Sequence, residues 1–103
     1  MWKPLPKEVT VKSSSIEGLG LFATEDIQKG HEFGITHVED KRFPANHIRT
    51  PLGGFINHSK NPNCIIYKEE DFYRLKSIKL INTDEEITLT YTFMGYDEYG
   101  YYE

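Results

Sequence analysis

Three short stretches of the 103-residue chain combine residue types that could do chemistry. Gly18-Leu19-Gly20-Leu21-Phe22-Ala23 has the two glycines, two spacers and small residue of a dinucleotide-binding turn, where backbone without side chains can lie close against a ligand. Phe55-Ile56-Asn57-His58-Ser59-Lys60-Asn61-Pro62-Asn63-Cys64 is the densest polar cluster, and its His58 and Cys64 offer a base and a thiol. Glu85-Glu86-Ile87-Thr88-Leu89-Thr90-Tyr91 is an acidic turn that runs into an alternating segment ending on a phenol.

Each stretch also has a plain structural reading. A dinucleotide motif must open a helix whose N-terminus faces pyrophosphate, but Thr24-Glu25-Asp26 follows at once and no alternating strands and helices come after. Two glycines making a tight turn between strands explain the first stretch better than a dinucleotide motif does. Asn57, Ser59, Asn61 and Asn63 are natural turn formers, so the second could be a loop whose side chains satisfy their own backbone. The third could be an ordinary half-buried strand. His31, His37, His47 and His58 lack metal-ligand spacing and Cys64 is the single cysteine, so neither a metal site nor a disulfide is expected.

The elements that must position these residues read as mostly β. Residues 9–12 alternate as a strand, residues 21–23 form a compact apolar run, and Ile27-Gln28-Lys29-Gly30 closes a turn in which Gly30 supplies a positive φ. Residues 32–36 read as another strand. The pattern then dissolves into a charged, proline-containing loop up to Pro51, in which residues 46–49 could hold one helical turn. Residues 64–67 and 72–78 predict a hairpin, with Tyr73 and Leu75 on one face and Arg74 and Lys76 on the other. Residues 80–81 and 87–91 predict two further strands, the second with Ile87, Leu89 and Tyr91 on one side. An aromatic tail follows: Phe93, Tyr96, Tyr99, Tyr101 and Tyr102.

Length and charge narrow the function classes. One domain, residues 1–103, is expected, with a core drawn heavily from seven Tyr and six Phe. No apolar window is long enough to span a membrane, and the first residues lack the layout of an export signal, so an intracellular protein without membrane attachment is expected. Twelve basic against sixteen acidic residues give a net charge of -4. That balance disfavours direct binding of a nucleic-acid backbone and suits a basic protein partner.

Taken together and in order, the glycine stretch with Ile27-Gln28-Lys29-Gly30, the block Phe55-Ile56-Asn57-His58-Ser59 with Asn61-Pro62-Asn63-Cys64, and Glu85-Glu86-Ile87-Thr88-Leu89-Thr90-Tyr91 resemble the SET-domain protein lysine methyltransferases. The resemblance covers roughly residues 9–93. It implies a SET-type β-clip of several short curved sheets, with a C-terminal pseudoknot that brings Asn57-His58 beside Tyr91. It also implies methyl transfer from S-adenosyl-L-methionine to the ε-amine of a lysine-containing protein. By motif, Gly18, Leu19 and Gly20 would present backbone to the cofactor's methionine part, and Asn57 and the backbone of His58 would hold its amino group and adenine. Tyr91 would be the channel tyrosine at the reaction centre, with Leu89, Phe93 and Tyr96 lining the substrate channel.

The sequence departs from the family pattern, and it carries neither a cysteine-rich flanking segment nor, at Leu89, the Phe or Tyr that many relatives have there. Neither Glu32-Phe33-Gly34 nor Ile35-Thr36-His37 is a convincing counterpart of the family's aromatic-x-Gly motif. The insert that usually supplies one wall of the peptide groove is very short, so the aromatic tail or a second copy of the chain would have to complete it. A different class of function competes: a non-catalytic SET-like module that binds a basic peptide or protein without turnover. Methylation of small amines is a third, weaker reading.

Overall fold

The computed structural model describes residues 5–43 and 47–90. It is mostly β, as expected, built from eight strands and one 3-10 turn among the described residues. The strands are β1 (Val9–Ser13), β2 (Leu19–Ala23), β3 (Glu32–Glu39), β4 (His47–Arg49), β5 (Asn57–His58), β6 (Cys64–Glu69), β7 (Phe72–Ser77) and β8 (Glu86–Leu89). They form two four-stranded sheets, ordered β1-β2-β8-β5 and β4-β3-β7-β6. The expected threading of the C-terminus falls on residues 91–103 and lies outside the described residues.

In the first sheet β8 is central, antiparallel to β2 and parallel to β5. A strand enclosed on both faces must be apolar on both or have its polar groups bonded. Ile87 and Leu89 are fully buried, and Thr88 on the opposite face is nearly so. Asn63 supplies the missing partner there. Its Oδ1 accepts from the Thr88 amide at 2.9 Å and its Nδ2 donates to the Glu86 carbonyl at 2.7 Å, so one carboxamide mimics a strand neighbour. Asn63 therefore ties its loop to β8, unlike the alternative reading of this block as a loop whose side chains satisfy their own backbone.

The second sheet contains the expected hairpin, with register Cys64↔Ser77 to Glu69↔Phe72 and a two-residue turn in which Glu70 has a positive φ. Leu75 is buried and Tyr73 packs against the core, while Arg74 on the other face donates to Glu32 and Glu69. The turn after β2 packs across the end of the hairpin: Ile27 and Ile81 exchange backbone bonds, and the Ser77 hydroxyl donates to the Gln28 carbonyl. Gly30 has φ +89 there, as its sequence position implied.

Two local expectations are corrected. Residues 47–49 form strand β4 rather than part of a helical turn, because β3 continues to Glu39 and its open edge pairs with them, Val38 opposite Ile48. Leu80-Ile81 is an isolated bridge rather than a strand, with Ile81 buried and Leu80 exposed.

The same β3–β4 corner encloses His37. Its Nδ1 lies 2.9 Å from Thr36 Oγ1, its Nε2 has no partner among the described residues, and its ring meets that of His47 edge-on with centroids 4.9 Å apart. Burial foremost, then the charges of His47 and Arg49, push the His37 pKa down to about 3. The unfolded chain takes up this proton near pH 6.5, whereas the folded chain resists it until about pH 3. Stability from this group is therefore complete above about pH 6.5 and declines as pH falls, by up to ~1.4 kcal/mol per unit. Urea denaturation at pH 7, 5.5 and 4 is expected to show this decline, and His37→Leu to flatten it. An unchanged slope in that variant would assign the acid sensitivity elsewhere.

Candidate functional site

The first sheet brings two of the three sequence stretches, and the strand of the third, into one place. Asn57 opens β5, which among the described residues is an edge strand paired only with β8, so that Asn57 lies opposite Thr88 and His58 opposite Leu89. The Asn57 Nδ2 group donates 2.8 Å to Glu86 Oε2 at the start of β8, and lies 3.2 Å from both the Glu17 and Leu19 carbonyls that flank Gly18. One carboxamide thus joins the glycine turn, β5 and β8.

Its position leaves specific polar atoms without partners among the described residues. An amide nitrogen has two protons, and three acceptors already surround this one. Asn57 Oδ1 has no partner among the described residues. Ser59 donates its amide to the Leu89 carbonyl at 3.0 Å. In a parallel ladder that register turns the amide and carbonyl of His58 away from β8, off the edge of the sheet. Both ring nitrogens of His58 are enclosed without a hydrogen-bond partner among the described residues. Unpaired polar atoms at a sheet edge are what a small polar ligand would satisfy.

The two glycines divide the work differently from the sequence reading. Gly18 has φ +45, and no described residue lies within 4 Å of where a side chain would project, which suits a turn that approaches a ligand. Leu19 beside it is exposed. Gly20 is buried, and a Cβ on it would meet the Glu86 carboxylate. Its missing side chain makes room for Glu86, whose two oxygens lie 2.7 and 2.9 Å from the Ser14 hydroxyl. Glu86 is the residue sequence reasoning left out. The signal was its place opening an alternating strand, where its charge made it pass for part of an acidic turn.

Leu89 is fully buried and belongs to the core, its backbone opposite His58. Thr90 follows, its hydroxyl donating 2.8 Å to the Ser59 carbonyl. Tyr91, Phe93 and Tyr96 lie outside the described residues. A Cys64 nucleophile finds no support: the side chain is fully buried, and burial pushes its thiol up to about 12, far from the thiolate that would attack. Among the described residues no three His, Cys, Asp or Glu side chains converge as metal ligands. No helix there is long and apolar enough to cross a membrane.

Comparison with known proteins gives this geometry a family context. The SET domain family model matches residues 34–92, more than half of the chain, spanning β3 to β8 and including Asn57, His58 and Tyr91. A candidate histone methyltransferase of Plasmodium falciparum superposes with TM-score 0.62 at 23% identity, covering 82% of this chain and 93% of that one. The methyltransferase domain of human PR domain-containing protein 2 gives 0.67 at 21%, over 82% and 77%. The Chaetomium thermophilum Polycomb Repressive Complex 2 bound to GSK126 gives 0.63 at 21%, over 81% of this chain but 15% of the larger one. At these identities the likeness is one of fold. No curated protein matches by sequence.

Proposed function

The chain belongs to the SET-domain family, and from that premise we propose that it is an S-adenosyl-L-methionine-dependent protein lysine N-methyltransferase. One observation carries the reading. The turn at Gly18 and the β5 strand at Asn57-His58 are fastened together by the Asn57 amide, and among the described residues this leaves the Asn57 acceptor and the outward backbone pair of His58 without partners. Asn57 Oδ1 suits the cofactor's ammonium, and the outward backbone of His58 suits the adenine edge. The space beside Gly18, clear of described residues, suits a ligand that must lie against backbone.

The cofactor supplies a methyl already activated on a sulfonium, so the protein's task is to position it and to exclude water. A lysine amine with pKa near 10.4 must shed a proton before it attacks, at about 4–5 kcal/mol in water at pH 7. A channel lined by Leu89, Tyr91, Phe93 and Tyr96 would lower that cost by desolvation, and a neighbouring cation by like-charge repulsion. The Tyr91 hydroxyl would orient the amine. The acidic chain, at net charge -4, favours a basic protein as the substrate.

Titration calorimetry with S-adenosyl-L-methionine, together with transfer of a radiolabelled methyl to a panel of lysine-containing proteins, tests the reading. Binding and label on lysine are expected, with Asn57→Ala weakening the cofactor ~10-fold or more, as the loss of a hydrogen bond to a charged group implies. Binding without transfer to any acceptor would support the non-catalytic module instead. No binding by the wild-type chain would overturn the proposal.

A further inference from the structure

Glu86 has no part in the function proposed above, yet the site is built around it. Its carboxylate fills the space that a side chain at Gly20 would need. The Ser14 hydroxyl grips both of its oxygens at 2.7 and 2.9 Å, and Oε2 also accepts from Asn57 Nδ2 at 2.8 Å. These contacts join β8, the residue that follows β1, and β5 over separations of 72 and 29 residues.

A side-chain amide is nearly symmetric in shape, so packing alone does not decide which end faces a ligand. Asn57 has three acceptors around one end, two carbonyls at 3.2 Å and the Glu86 carboxylate at 2.8 Å. The carboxylate is the shortest and, as a charge-assisted partner, the strongest of them. We propose that Glu86 is a positioning residue for the cofactor's amino-acid end: it locks the Asn57 carboxamide with its NH2 group inward, so that Oδ1 alone faces a ligand and selects an ammonium. The inference rests on the methyltransferase reading and extends it. The open corner of the site is an acceptor specific for a cationic amino group, not a general polar pocket.

The test uses the intact chain. Glu86→Ala is expected to weaken S-adenosyl-L-methionine binding ~10-fold, whereas Glu86→Gln, which can keep an oxygen toward Asn57 and turn its NH2 to the Ser14 hydroxyl, stays within ~3-fold of wild type. In the double variant with Asn57→Ala, the loss is expected to be no greater than for Asn57→Ala alone, because both changes remove one coupled unit. A cofactor analogue lacking the amino group should bind wild type and Glu86→Ala equally. In the ligand-free protein, the Asn57 side-chain NH2 resonances should be protected from solvent exchange in wild type and exchange rapidly in Glu86→Ala. Ser14→Ala, a milder change to the same contacts, serves if Glu86→Ala does not fold, and is expected to show a smaller loss in the same direction.

Equal weakening by Glu86→Gln and Glu86→Ala would mean that the charge acts on the ligand directly, which overturns the positioning role. So would additive losses in the double variant, or affinity retained in Glu86→Ala. Wild-type chain that binds no S-adenosyl-L-methionine overturns the methyltransferase reading and this inference with it, and the calorimetry of the wild type alone separates that case from the others.

Discussion

Gly53→Ala is expected to destabilise the protein by about 3 kcal/mol and to lower Tm by ~10–20 °C, an effect far beyond that of an ordinary methyl added to a surface turn. The 3-10 turn Leu52–Gly54 lies flat against β3, and a Cβ at Gly53 would meet the carbonyl oxygen of Thr36, with the carbonyl carbon at 3.0 Å and Thr36 Cβ at 3.1 Å. None of these can swing away. The Thr36 carbonyl already accepts from the Thr50 amide at 2.8 Å, and Thr36 is fully buried with its hydroxyl donating to the Tyr73 carbonyl. Relief would require lifting the turn off β3, which would withdraw Leu52 from the core and shift the chain that enters β5 three residues later. For a domain whose total stability is of order 5–15 kcal/mol, that is a large share. Gly54→Ala is the control: no described residue lies within 4 Å of its Cβ, and a change within ~0.5 kcal/mol is expected. Thermal melts of the two variants beside wild type decide the matter, and equal Tm values would show that the turn is not wedged against β3.

Gly53 also marks where sequence reasoning stops. Local signals identified the strands with strong alternation or tight turns, such as the hairpin of β6 and β7 and the turn at Gly30, because each is decided by neighbours in sequence. Strand β4 was illegible for the opposite reason. Residues 47–49 have no apolar face of their own, and they are extended because the edge of β3 offers partners. The polar block 55–64 looked like a self-satisfied loop, and one part of it is: Ser59 Oγ accepts from the Asn61 amide at 3.1 Å. Asn57 and Asn63 do otherwise. Their amides reach residues more than twenty positions away, into β8 and the glycine turn, and no local rule distinguishes those two asparagines from Asn61. The family resemblance put Asn57 in the site, but the carboxylate that orients it became visible only once β8 lay between β2 and β5.

Tyr91→Phe is expected to slow methyl transfer ~100-fold while leaving cofactor affinity within ~3-fold of wild type. The described residues bring the chain to the doorstep of the site: Leu89 pairs with His58, the Thr90 hydroxyl holds the Ser59 carbonyl, and Tyr91 is the next residue. On the proposed mechanism the ring contributes to excluding water and the hydroxyl to aiming the amine, so removing the hydroxyl alone spares binding and costs positioning. Loss of one aligned hydrogen-bonding group at a reacting centre is worth about 10²–10³ in rate. Equal falls in kcat and kcat/KM would identify a contact made only in the transition state. The pH profile separates orientation from proton abstraction. If the lysine sheds its proton to solvent before attack, the rate rises with pH because only the neutral amine reacts, and that rise persists in Tyr91→Phe at a lower plateau. If Tyr91 itself took the proton, the ascending limb belonging to its ionisation would vanish from the variant. A Tyr91→Phe enzyme as fast as wild type would move the reaction centre away from the end of β8 altogether.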